Sequence, residues 1–265
     1  MNFYDDELNI IDSFQGAPKR KIYFNRYTFG ALNAFRTIHS FKKWANWTYS
    51  AGKADPPPDF FCNKYNLMME VMRVDDHAHL DKRGKWVNPV NQRESMIQND
   101  IRRKILSGNP NADFSKIKII INANPKLPSL EDHNYGFYYT NFERILTKHI
   151  ANIPLYRRNH PDKKLIFFIF DESTGYLQVQ DEVLAKRGPV ALEPFTAVPI
   201  WHFYDKRFLD VFLESDVDYL IWYTPYKMFH GSKIQPPNIC IFDIKKHKCK
   251  KAIDYTPELA ISSEA

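Results

Sequence analysis

Glycine is scarce in this chain, with only 9 in 265 residues. Neither G-x-x-x-x-G-K-[ST] nor G-x-G-x-x-G occurs, which excludes a phosphate-cradling P-loop and a dinucleotide fingerprint. Cysteine is scarcer still. Cys62, Cys240 and Cys249 show no C-x-x-C spacing, so neither a disulfide framework nor a cysteine zinc site is indicated. No apolar run approaches the ~18 residues that span a bilayer. The start MNFYDDELNII is acidic and lacks the basic-then-apolar pattern of a signal peptide. These absences lead to the expectation of a soluble cytoplasmic protein with no membrane partner.

Rings and basic residues are plentiful. Aromatic content is 15% and hydrophobic content 44%, enough for a substantial globular core. The formal charge of +6 and a pI near 9.0 suit a polyanionic partner such as nucleic acid. No repeat, low-complexity tract or Gly/Ser linker divides the sequence, so a single α/β domain is expected. Its mixed central sheet would be flanked by helices.

In order, residues 1–24 read as an irregular lead-in. A helix is expected over 28–47, where Leu32, Phe35, Ile38 and Phe41 recur every three residues and Thr28 offers a cap. Pro56 to Pro58 stop it. DFFC and NLMMEVMRV read as a hairpin around an Asn-Lys-Tyr-Asn turn. A helix over about 91–107 and a buried strand KIKIIINA come next. A helix over 138–158 precedes the apolar strand KLIFFIFDE, beside which GYLQVQ could pair. A helix at about 205–214 and the strands VDYLIWY and NICIFDIK complete the pattern. Strands near 66–74, 117–122 and 165–170 are expected in one sheet.

The stretch 56–81, PPPDFFCNKYNLMMEVMRVDDHAHLD, carries two metal-site readings. In the first, a hairpin sets Asp59 beside Glu70, and two such carboxylates suit Mg²⁺ or Mn²⁺. The ion would polarise a phosphoryl oxygen and generate hydroxide. Glu70 lies inside the apolar run LMMEVM, where an unpaired carboxylate is costly to bury, which favours a ligand.

Pro58-Asp59 followed by Glu70, with a helix before and a helix and strand after, resembles the PD-(D/E)xK nuclease superfamily. The resemblance covers about 25–125 as a nuclease-like core, leaving an α/β extension over 126–250. It implies a restriction-endonuclease-like αβββαβ core, metal-dependent hydrolysis of DNA or RNA, and Asp59 and Glu70 as ligands facing one another. Where that family carries lysine, two residues after Glu70, this chain has Met72. Arg73, Lys53 and Arg93 are candidate replacements for the missing cation, and Gln92 or Gln98 for a helix-borne glutamine. The departure at Met72 leaves a second expectation open. It is a catalytically inactive nuclease-like fold that binds nucleic acid or a protein partner, with a homodimer also possible.

In the second reading, VDDHAHLD resembles the first-strand signature of metal-dependent amidohydrolases, with His77 and His79 sharing a zinc ion. Those enzymes are eight-stranded barrels, whereas only about five strands are expected after His79 in this chain. His202 is the only loose further ligand. Asp171-Glu172 and the pair Asp218 with Asp243-x-Lys245 are weaker acidic candidates. Bases and phosphates could be held by Arg36, Lys42, Lys43, Trp44 and Trp47 on one helix and by Arg102, Arg103 and Lys104 on another.

Overall fold

The computed structural model describes residues 7–17, 21–50, 58–112, 133–180, 197–229, 233–246 and 252–264. The strand expected at 117–122 and the candidate Lys53 lie outside the described residues. The protein is α/β and built in three layers, with helices on both faces of a mixed central sheet.

The described part of the N-terminal stretch is not irregular. Helix α1 (Glu7–Gly16) forms because Ile10, Ile11, Phe14 and Gln15 fall on one face and bury it. Strand β1 (Ile22–Phe24) comes next. Thr28 caps α2 (Phe29–His39), its hydroxyl oxygen accepting from the Ala31 N–H at 3.1 Å. The helix expected over 28–47 breaks at Ser40, whose backbone is extended, and resumes as the single turn α3 (Phe41–Trp44). That break brings Trp44 onto Trp47 at 5.6 Å and onto Phe60 at 5.1 Å.

Strands β2 (Thr48–Tyr49), β3 (Phe60–Cys62) and β4 (Leu67–Val74) form an antiparallel meander. The expected turn joins the last two, with Asn66 at φ +54°, a left-handed conformation that asparagine tolerates. A small ribbon of β5 (His79–Leu80) and β6 (Trp86–Val87) leads to α4 (Pro89–Gly108), capped by Asn88. The helix expected over 138–158 divides at Asn152 into α5 (Tyr135–Ala151) and α6 (Ile153–Asn159). Pro154 explains the division, since it has no N–H to continue a ladder but suits a first turn.

Strand β7 (Lys164–Asp171) lies parallel to β4 and to β10 (Tyr219–Tyr223), which comes after α7 (Lys206–Leu213). β11 (Ile239–Asp243) is antiparallel to β10. The sheet order is β1-β11-β10-β7-β4-β3-β2. β7 reads as a continuous apolar run because helices cover both of its faces. GYLQVQ does not join it. Its strand β8 (Tyr176–Val179) pairs with β9 (Ala197–Pro199) and β12 (Ala260–Ser262) in a separate sheet.

Two cores result. Met68, Met72, Val74, Phe167 and Trp222 point toward α5, α6 and α7, and Met69, Val71, Phe168 and Ile221 toward α1 and α2. Alternation along β4 places Glu70 on the α5–α6 face and Arg73 on the other. The described sheet is open and mixed, so it is not the closed parallel barrel that the amidohydrolase reading requires. No described helix is long and apolar enough to cross a membrane.

Candidate metal and acid-base sites

Asp59 lies one step beyond the Phe60–Met69 pair of β3 and β4, and so stands opposite Glu70. The backbone N–H of Asp59 donates to Glu70 Oε2 at 3.2 Å, and the N–H of Val71 donates to Asp59 Oδ2 at 2.7 Å. Glu70 is 7% exposed, and its other oxygen meets His149 Nδ1 of α5 at 2.8 Å. Tyr156 of α6 also hydrogen-bonds Glu70, and burial, then the Glu70 charge, hold its phenol well above the usual range. Burial, then Glu70, raise the Asp59 acid to about 8, against the lowering effect of the Val71 N–H; Glu7 adds to the rise. At neutral pH the pair therefore keeps a proton that a cation could replace.

The candidate cations among the described residues are elsewhere. Met72 shares the face of Glu70 but is 2% exposed in the apolar core. Arg73 is on the opposite face, paired with Glu172. Burial outweighs that arginine and raises Glu172 to about 7, with Asp75 and Glu94 adding to the rise. Gln92 and Arg93 are exposed at the start of α4, which is anchored beyond the end of β4 by Asn88 Nδ2 donating to Asp75 Oδ2 at 2.8 Å. No described hydrogen bond or ion pair joins Gln92 or Arg93 to the carboxylate pair. Gln98 is buried on that helix. The basic residues of α3 also lie away from the pair. Lys42 is exposed and Lys43 stands 5.8 Å over the Tyr65 ring, in the layer opposite Glu70. Trp47 is engaged in packing, its indole N–H donating to the Thr37 carbonyl at 3.2 Å. Arg103 is exposed beside Asp100 and Arg102 is half-buried.

The H-x-H pair separates. Asp75 Oδ1 accepts the N–H groups of His77 and Ala78, at 3.0 and 2.9 Å, and turns the chain just past β4. His77 and His79 thus do not share an extended face. His79 Nδ1 approaches the His77 carbonyl at 3.1 Å and its ring stacks on Phe137 at 4.9 Å. His77 instead joins Asp76 and His133, and their ligand-type atoms lie within 4.8 Å of one another. No sequence signal marks His133, because it stands 57 residues beyond Asp76 with no motif around it. His202 is buried against Trp222, and burial, then the Lys227 charge, push its ring well below the usual range.

At the ends of the parallel strands lies a buried polar network. Asp171 Oδ2 accepts from Tyr138 at 2.6 Å and from the Trp222 indole at 2.8 Å, and its Oδ1 accepts from the Ser173 N–H and hydroxyl. Lys227, 5% exposed, donates to Ser173 Oγ and to the Thr174 carbonyl, with Asp171 Oδ2 at 3.5 Å. Burial lowers the Lys227 ammonium, and Asp171 and Asp76 oppose the shift. Asp171 therefore holds the inside of the fold rather than a ligand. Asp218 and Asp243 are likewise taken, by Arg157 at 2.9 Å and by the Thr28 hydroxyl at 2.6 Å.

No protein-family model matches the chain, and no curated protein or solved structure matches it either.

Proposed function

We propose that the chain is a divalent-metal-dependent nuclease whose metal ligands are Asp59 and Glu70. The observation that carries the reading is the pair itself, two carboxylates opposite one another on β3 and β4 with the Asp59 acid raised to about 8. Such a pair suits a hard cation that takes one or two carboxylates and leaves room for substrate oxygens. The order α2, β2, β3, β4, α5, β7 also follows the αβββαβ order that the family resemblance implies, with α3, the β5–β6 ribbon, α4 and α6 interposed. When bound, Mg²⁺ or Mn²⁺ would supply Lewis-acid polarisation of the phosphoryl oxygen and a hydroxide at neutral pH. His149 and Tyr156 hold Glu70 Oε1 and the carboxylate plane in place. The experiment is hydrolysis of labelled single- and double-stranded DNA and RNA. Turnover should need Mg²⁺ or Mn²⁺, stop with EDTA, and fall at least 100-fold in Asp59→Ala and Glu70→Ala. Turnover by the unmutated protein in EDTA would overturn the reading.

The burial of Met72 favours a second reading, in which the fold binds nucleic acid or a protein without cleaving it. An inert unmutated protein that retains nucleic-acid affinity in Glu70→Ala would select it.

A further inference from the structure

The cluster past the end of β4 has the arrangement of a metal centre, and it is independent of the carboxylate pair. Asp76 is fully buried, and its two oxygens are used differently. Oδ2 accepts from the Tyr176 hydroxyl at 2.6 Å and from the Thr174 N–H at 3.0 Å. Oδ1 faces two imidazoles, His77 Nε2 at 3.4 Å and His133 Nδ1 at 3.2 Å; His133 Nδ1 is also 3.1 Å from Oδ2. Ligand atoms around a tetrahedral ion with bonds near 2.1 Å stand roughly 3.4 Å apart; the two separations from Asp76 Oδ1 match that spacing, and all three ligand atoms lie within 4.8 Å of one another.

The surroundings also fit. His133 Nε2 lies 3.2 Å from Glu264 Oε2, and Glu264 Oε1 accepts from the Thr174 hydroxyl at 2.7 Å. A carboxylate on the far nitrogen of a ligating imidazole fixes ring orientation and raises its basicity. Tyr176 and Thr174 fix the orientation of Asp76 by donating to its Oδ2. The side chains of His77 and His133 are 12% and 21% exposed, which leaves an entry path from solvent on the imidazole side.

We propose that Asp76 Oδ1, His77 Nε2 and His133 Nδ1 bind one divalent transition-metal ion of the zinc class, with a further position open to solvent. Two imidazoles and one carboxylate select such an ion over Mg²⁺ or Ca²⁺, which prefer all-oxygen shells. The ion takes the place of the proton that His133 Nδ1 shares with Asp76. In doing so it ties the end of β4, the start of α5 and the segment after β12 into one point.

The test is a Zn²⁺ titration of the chelator-treated, desalted full chain by calorimetry, with Co²⁺ followed by its visible ligand-field absorption. One tight equivalent should bind with a dissociation constant below micromolar, any second, weaker equivalent belonging to the carboxylate pair, and Co²⁺ should give tetrahedral-type bands. His77→Ala, checked for folding by circular dichroism, should weaken Zn²⁺ at least 100-fold, and Glu264→Gln by about 10-fold. His79→Ala should leave the affinity unchanged, since His79 faces Phe137. Glu70→Ala should too, which separates this site from the carboxylate pair. Absence of Zn²⁺ binding, or equal affinity in folded His77→Ala, would overturn the proposal and leave the cluster as a hydrogen-bonded clasp.

Discussion

Glu70 and Met72 point from the same face of β4, two residues apart, into different surroundings. Glu70 meets His149 and the Asp59 N–H, whereas Met72 is enclosed in the apolar core beneath the α5–α7 layer. The residue that departs from the nuclease pattern is thus a packing residue. Met72→Lys would not install a missing catalytic group. It would place an ammonium among apolar side chains, at a cost of about 3 kcal/mol or more. Urea denaturation should show that loss, with no gain in hydrolysis. A stable, more active Met72→Lys protein would mean that the site reaches further along β4 than its contacts show.

Asp59 sets a pH dependence whose sign comes from its raised acid. The folded form titrates near 8 and the unfolded form near 3.8, so between these values the folded state binds more protons. In EDTA, stability should therefore fall as pH rises from about 4 to about 8. Asp59→Asn should flatten that part of the melting-temperature profile. Added Mg²⁺ should raise the melting temperature more at pH 8.5 than at pH 5.5, because a cation replaces the proton. Stabilisation by Mg²⁺ that is equal at both pH values would remove the carboxylate pair as its site.

Asp59 and Glu70 also show how far the sequence reaches. The hairpin, the long apolar strands and the Thr28 cap are legible because each depends on local pattern, period-two alternation or a single hydroxyl next to a helix start. The opposition of Asp59 and Glu70 is legible for the same reason, since a tight turn fixes the register. His149, Tyr156 and His133 are not. They reach the sites from helix or loop positions far along the chain, and only tertiary packing joins them to β4 or its end. Arg73 fails as the replacement cation because three steps along a strand reverse the face, and it turns to Glu172. The helix α1 is hidden in the sequence because its acidic start masks a short apolar face.

The Asp171–Lys227 pair allows an ordering of two substitutions. Without Lys227, Asp171 still accepts from Tyr138, Trp222 and Ser173. Without Asp171, the Lys227 ammonium keeps Ser173 and the Thr174 carbonyl but has no directly paired acid. Lys227→Met should cost about 1–3 kcal/mol and Asp171→Ala about 3–5 kcal/mol, by the general penalty for one partner left charged and buried. Chemical denaturation of both variants would check the order, and a larger loss in Lys227→Met would show that the lysine, not the carboxylate, anchors the network.

The basic face decides between cleavage and binding alone. Lys42 is exposed on α3 and Lys43 is half-buried over Tyr65, in the layer opposite Glu70, so neither can serve the carboxylate pair directly. If that layer binds nucleic acid, Lys42→Ala with Lys43→Ala should lower affinity several-fold at low salt. The slope of log affinity against log salt should become shallower by about 1–2, because each lost phosphate contact releases one fewer counterion. Cleavage per bound substrate should be unchanged in that double variant, since Asp59, Glu70 and His149 are untouched. Trp47→Ala, by contrast, should act on stability, because its ring stacks on Trp44 and its indole N–H is bonded to Thr37. An affinity loss in folded Trp47→Ala larger than that of the double lysine variant would instead put a base on the indole. Unchanged affinity and unchanged salt slope in the lysine variant would move the nucleic-acid surface off α3 altogether, leaving the exposed Arg103 on α4 as the next cation to substitute.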